Sequence, residues 1–406
     1  MATTAPGESV SKHDLKQSMV DYYGKLNELE KTFPILSKEN EMNVCFSWHD
    51  AFKSDRMCKM HDIHLEKAAT SFNIASITSQ SAYEQEKGTL DGLKHAGKLF
   101  QESSGAFSFL RREMMTARPL SQTETYDMCP LCLEMLEITM MAQSQECVLG
   151  MAFMQGMSDA ALAKMAKAIC NLYETVLEKL STRELEQYFD KSWRQLFIVK
   201  QLIYDALASQ HYAAFLRKKK DVDIDVRIRN EIAYLTRANA LISEAKKKSD
   251  RTKSSSVKEA VKERYDIIGS LLREKMNDNN KVHMQFNIPL WSDLEQIPAA
   301  VVMRSKVPDY LLQPIAAVTA THSGYLEAYM VGLMGEKQVG GERLKKGRRE
   351  TGLVEDSYMA CAVAWEELRV FCEGYLKSFF PTSNLFNALM MIIVWYGFMA
   401  LRETVL

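Results

Sequence analysis

Apolar residues recur at helical spacing along most of this chain. Between Ser11 and Phe33 they fall at Leu15, Met19, Tyr22, Tyr23, Leu26 and Leu29, three or four apart, and Pro34 closes the run. The same rhythm resumes at about Ile63 and continues through Phe109, with Gly88 and Gly105 as expected breaks. Further helices are predicted from Pro130 to about Gly150, Ser158 to Leu180, Glu184 to Phe215, Val226 to Lys246 and Val261 to Met276. Asn43 to Trp48 alternates weakly and reads as extended, and the polar, basic Ser249–Lys258 reads as a solvated loop. The expected class is therefore all-α, with antiparallel helix pairs of solenoid or TPR-like character, although no fixed repeat period is visible.

Composition supports this class. Only 18 Gly and 9 Pro occur in 406 residues, too few for a fold rich in tight turns. The net charge of -1 argues against a nucleic-acid binder driven by bulk charge. Eight dispersed cysteines follow an N-terminus without an apolar leader, which points to free thiols and a cytoplasmic location.

The search for chemistry returns little. Gly335 and Gly340 have phosphate-loop spacing, but Gly341 and Glu342 stand where Lys and Ser or Thr are needed. His61 and His64 lie one helical turn apart without an evident third zinc ligand, and read as surface histidines. Cys129 and Cys132 form a lone Cys-x-x-Cys pair at a helix start, read as packing residues. No cofactor, metal, small-molecule substrate or enzymatic activity is expected. The methionines at 140, 141, 151, 154, 157 and 165 suit either an irregular core or an adaptable groove for a partner helix.

Five segments carry a resemblance. Phe46-Ser-Trp-His-Asp-Ala-Phe52, Leu65 to Ile77 with its Glu66-Lys67 and Phe72-Asn73, and Gly92-Leu-Lys-His-Ala followed by Ser104-Gly-Ala-Phe107 are three of them. Met141-Ala-Gln-Ser-Gln-Glu146, and Asn277-Asp278 with Ile288-Pro289, are the others. In order and spacing they resemble the BRO domain family of ALIX- and HD-PTP-like endosomal sorting adaptors, over residues 12–314. The resemblance implies an elongated BRO-type helical domain. It also implies a non-enzymatic adaptor, cytoplasmic and endosome-associated, that binds the C-terminal amphipathic helix of an ESCRT-III subunit of the charged-multivesicular-body type.

The matched positions are Val148, Ala161, Leu162 and Met165 as apolar contacts, with Lys94 and Lys98 as cations beside them. Ala161 and Met165 are four apart and share a helical face, as do the two lysines. The family usually carries larger side chains where Val148 and Ala161 stand. At about 25 cal/mol per Å2, trimming each anchor costs around 1–2 kcal/mol, so weaker binding or a diverged partner is expected. Two departures stand out: the family's N-terminal β-hairpin region is expected to be missing, and its Phe-Ile-Tyr stretch is replaced around Lys281, Val282 and His283. A rhophilin-like signalling adaptor shares the domain and is the alternative, as is a truncated domain without independent function.

Residues 315–406 read as a divergent tail. It holds a basic Gly-rich segment, an amphipathic stretch over Tyr358–Phe380 and the almost wholly apolar run Leu385–Leu401. That run of about 17 residues is roughly 25 Å long as a helix, the lower edge of a bilayer span. It is read as a tail anchor, a buried terminal helix or a non-native ending, and membrane association as peripheral or tail-mediated. The terminal Thr404-Val-Leu406 also fits the carboxyl-terminal pattern captured by PDZ domains.

Overall fold

A computed structural model of the chain describes residues 11–32, 45–115, 125–252 and 254–312. The tail, with its apolar run and basic segment, lies outside them. The described residues fall into two compact units. One comprises residues 11–20, 50–56 and the described part of 68–312; the other comprises 21–32, 45–49 and 57–67.

The larger unit is an array of helices, each packed against the next: α3 (Leu90–Phe109), α4 (Pro130–Met154), α5 (Asp159–Leu180), α7 (Lys191–Lys218), α8 (Ile224–Ser249) and α9 (Ser255–Asp278). The earlier helices α1 (Lys12–Thr32) and α2 (Ile63–Tyr83) are divided between the two units, and the short α6 (Arg183–Tyr188) joins α5 to α7. Local chemistry sets the boundaries. Thr89, Ser158, Asp190, Asp223 and Ser254 each occupy an N-cap and accept a hydrogen bond from a first-turn amide, satisfying an otherwise orphaned donor. Gly156 takes a φ of +64° in the α4–α5 turn, a conformation that costs a side chain dearly and glycine nothing.

The helical spacing anticipates these elements well, with three exceptions, the first being that α9 already begins at Ser255, inside the stretch read as a solvated loop, because Ser254 caps it there. Gly88 lies in the break between α2 and α3, but Gly105 breaks nothing and stands inside α3. Its bare Cα lets another backbone segment pass so close that a Cβ there would sit 1.9 Å from the Lys306 carbonyl oxygen. The helix expected over 184–215 is split, because Asp190 caps a fresh start after Phe189.

The approaching backbone is a strap, residues 284–308, crossing several helices. Tyr234 donates to the Glu295 carbonyl (2.5 Å), the Ala300 amide to the Lys164 carbonyl (2.9 Å), and the Gln101 amide to the Arg304 carbonyl (3.0 Å). Ser305 then donates to Glu137 (3.3 Å), whose other oxygen holds Arg111. An otherwise irregular segment is thereby fixed to α8, α5, α3 and α4.

The smaller unit contains an antiparallel ribbon, β1 (Phe46–His49) with β2 (Met57–Met60), in the register Phe46 opposite Met60 and His49 opposite Met57. This corrects the expectation that no β-hairpin accompanies the N-terminal side. Only the first strand alternates visibly in sequence, and four-residue strands leave little period to read. Beside the ribbon, the buried Glu66 carboxylate accepts from Tyr22 (2.7 Å) and from the Trp48 indole (2.6 Å). Burial pushes Glu66 above the usual carboxylate range, although both hydrogen bonds oppose the shift. A carboxyl raised in the folded state binds more protons there than when unfolded. Stability therefore falls as pH rises from its ordinary value through its raised one. Amides around Trp48 should exchange faster at neutral than at mildly acidic pH, after correction for intrinsic rates, and Glu66→Gln should remove that difference.

Candidate functional site

The six residues singled out in the sequence lie on α3, α4 and α5. The α4–α5 hairpin is closed near Gly156 at one end and by the Lys179–Glu134 ion pair (2.9 Å) at the other, which brings Val148 level with Met165. On the other flank of α4, Ser144 donates to the Gly97 carbonyl (2.9 Å) and Gly150 lies against Leu93. Lys94 and Lys98 therefore lie on the turns of α3 that are level with Val148 along the helix axes.

Exposure separates the six. Lys94 and Lys98 are exposed, and among the described residues neither has an ion-pair partner. Val148, Ala161 and Met165 are half-buried, open enough to be covered further by another molecule. Leu162 is not part of this surface. At 5% exposure it belongs to the core of α5, beside Ala163 and Ala166, so its place as a partner contact is corrected. A helix turns about 100° per residue, so the neighbour of a surface residue commonly points inward.

The first turn of α5, which carries Ala161, is held in place by charge. Lys218 donates to Asp159 (2.6 Å), and His211 Nδ1 lies 3.0 Å from its second oxygen. Burial pushes the Asp159 carboxyl up, but these bonds and charges outweigh it and hold the group below its ordinary value. Lys200 bonds both oxygens of Glu146 (2.8 and 2.9 Å) and Tyr173 donates to Glu146 (2.5 Å), a satisfied polar network that ties α7, α4 and α5 together.

The methionines divide between the two readings. Met141 is core, Met140 and Met151 pack against the Leu93–Phe100–Cys147 cluster, and Met154 and Met157 are exposed at the α4–α5 turn.

The remaining chemical candidates are structural in character. His64 is buried, not a surface histidine, because α2 turns it inward beside Ile63 and Leu65. Among the described residues no group of three His, Cys, Asp or Glu is placed to hold a metal ion. Cys129 is the N-cap of α4 and its sulfur accepts from the Cys132 amide (3.4 Å). Burial, reinforced by nearby carboxylates, pushes both thiols up, the opposite of an activated nucleophile. No described helix is long and apolar enough to cross a membrane. Sequence reasoning missed the strap; its only clear signals were Gly105 and the prolines at 289, 298 and 308.

Consecutive helices packed against one another make the larger unit a stacked helical array. The family follows from direct comparison: a model described as BRO1-like domain matches residues 2–323, and the chain belongs to that family. The chain is 32% identical over 282 residues to the vacuolar-sorting protein BRO1 of Arabidopsis thaliana, an alignment covering 69% of this chain and 32% of that protein. It is 28% identical over 311 residues to the human programmed cell death 6-interacting protein, covering 74% of this chain and 33% of the relative. The chain thus spans about a third of the length of these relatives. Among solved structures, an ALIX BRO1 CHMP4C complex superposes with a TM-score of 0.66 at 26% identity, covering 77% of this chain and 84% of that one.

Proposed function

We propose that this protein is a non-enzymatic adaptor of endosomal sorting, acting in the cytoplasm at endosomes, whose helical array docks the C-terminal amphipathic helix of an ESCRT-III subunit. One observation carries the reading: Val148, Ala161 and Met165 remain half-open to solvent at positions matched to the family's docking residues, with Lys94 and Lys98 beside them. The relatives support it. One is a vacuolar-sorting protein, and the superposing ALIX BRO1 domain is in complex with CHMP4C. The physics is helix-in-groove recognition, in which apolar anchors supply affinity and the lysines orient an acidic flank. With small residues at Val148 and Ala161, Met165 contributes the largest apolar contact.

The charge contribution has its own test. Reversing Lys94 and Lys98 to glutamate should weaken binding of a CHMP4C C-terminal helix peptide by about 10-fold at low salt. Most of that difference should vanish at high salt, because exposed charges are screened within about 10 Å at 0.1 M. Fluorescence anisotropy across a salt series reads this directly. Equal affinity of variant and parent at low salt would remove the lysines from the site.

A further inference from the structure

We propose that the docking surface continues past Met165 into a groove between α5 and the strap, where it takes a further apolar anchor of the same amphipathic helix. This rests on the helix-docking reading and extends its footprint. The groove lies between Ala168, Leu172 and Thr175 of α5 on one side and Ala299 and Val302 of the strap on the other. Its volume of about 180 Å3 has room for one large aliphatic side chain.

Two features tie the groove to the strip. Ala161, Met165 and Leu172 are half-buried and follow one another at spacings of four and seven, so they share one stripe along α5, with the buried Ala168 as the floor of the groove. The strap wall is anchored at the same place, since the Ala300 amide bonds the carbonyl of Lys164, the residue next to Met165. The Lys164 side chain is exposed and, among the described residues, has no ion-pair partner. It adds a third free cation to Lys94 and Lys98, and an occupant with an acidic flank complements all three.

The occupant this predicts is specific. From Met165 to Leu172 is seven residues, about 10 Å along a helix at 1.5 Å per residue. A partner helix running along α5 therefore needs apolar residues at one position and again seven further on, with acidic residues to one side. A short motif with a single apolar pair would leave the groove empty.

The test uses the full chain and a fluorescein-labelled peptide of the CHMP4C C-terminal helix. Lys164→Glu and Leu172→Ser should each weaken binding by about 5- to 10-fold. A peptide whose apolar residue at the seventh position beyond the Met165 contact is replaced by serine should bind equally weakly to parent and to Leu172→Ser. Circular dichroism melting controls for folding; should Leu172→Ser unfold, the surface variant Lys164→Glu decides. If Met165→Asp abolishes binding while Lys164→Glu binds within two-fold of the parent, the groove is overturned and the docking reading stands. If Met165→Asp binds like the parent, both fall.

Discussion

Replacing Met165 with aspartate should reduce affinity for the CHMP4C C-terminal helix more than 100-fold. Two costs act together. The apolar contact of the largest anchor is lost, worth roughly 1.5–3 kcal/mol for a side chain of this size when fully covered. A carboxylate must also be desolvated beneath the apolar face of the incoming helix, which costs at least as much again. Their sum exceeds the roughly 2.8 kcal/mol that separates two factors of ten. Because Met165 is half-buried in the free protein, the variant should keep its circular dichroism spectrum and melt within a few degrees of the parent. Met165→Leu should bind nearly as well as the parent, since shape and apolarity are retained. Binding by isothermal titration, paired with a thermal melt, separates lost recognition from lost folding.

The second large effect concerns folding. Asp50 is 3% exposed and serves as a hub. One oxygen accepts from the Phe52 and Lys53 amides (both 2.9 Å) and from the Tyr188 hydroxyl, and the other accepts from the Tyr126 amide (3.0 Å). Beside it, Asp127 accepts from the Ala51 amide (2.9 Å), and Phe52 packs edge-on against Phe72, Tyr188 and Trp193. Asp50→Ala leaves several buried donors without an acceptor and should cost about 3–5 kcal/mol. In a unit of this size that lowers the melting midpoint by roughly 6–15 °C. Asp50→Asn keeps one acceptor oxygen and should lose about half as much. A melt of Asp50→Ala within 2 °C of the parent would show that the hub is dispensable.

The helices were legible because long amphipathic runs repeat the same spacing many times, as in α5, where Ala166, Ile169, Tyr173, Val176 and Leu180 form an inward face. Boundaries were less so. The α6–α7 break depends on a single Asp190, and the β1–β2 ribbon on two four-residue strands. The strap has no periodicity at all, since its backbone groups bond to helices distant in sequence, and only Gly105 hinted at a close approach. For the site, Val148, Ala161, Met165 and the two lysines rest on the resemblance, and the register of the α4–α5 hairpin puts Val148 level with Met165. Leu162 failed because adjacency in sequence is not adjacency on a helix surface. The groove at Leu172 went unseen because half its wall belongs to the strap.

Placing a photo-crosslinking amino acid at position 165 of the full chain tests the docking surface most directly. On irradiation with the CHMP4C helix peptide, position 165 should yield a covalent adduct that excess unlabelled peptide suppresses. The same group at Val282, 70% exposed on the segment following α9, should yield none. A peptide that binds the protein yet cross-links at 282 and not at 165 would contradict the account.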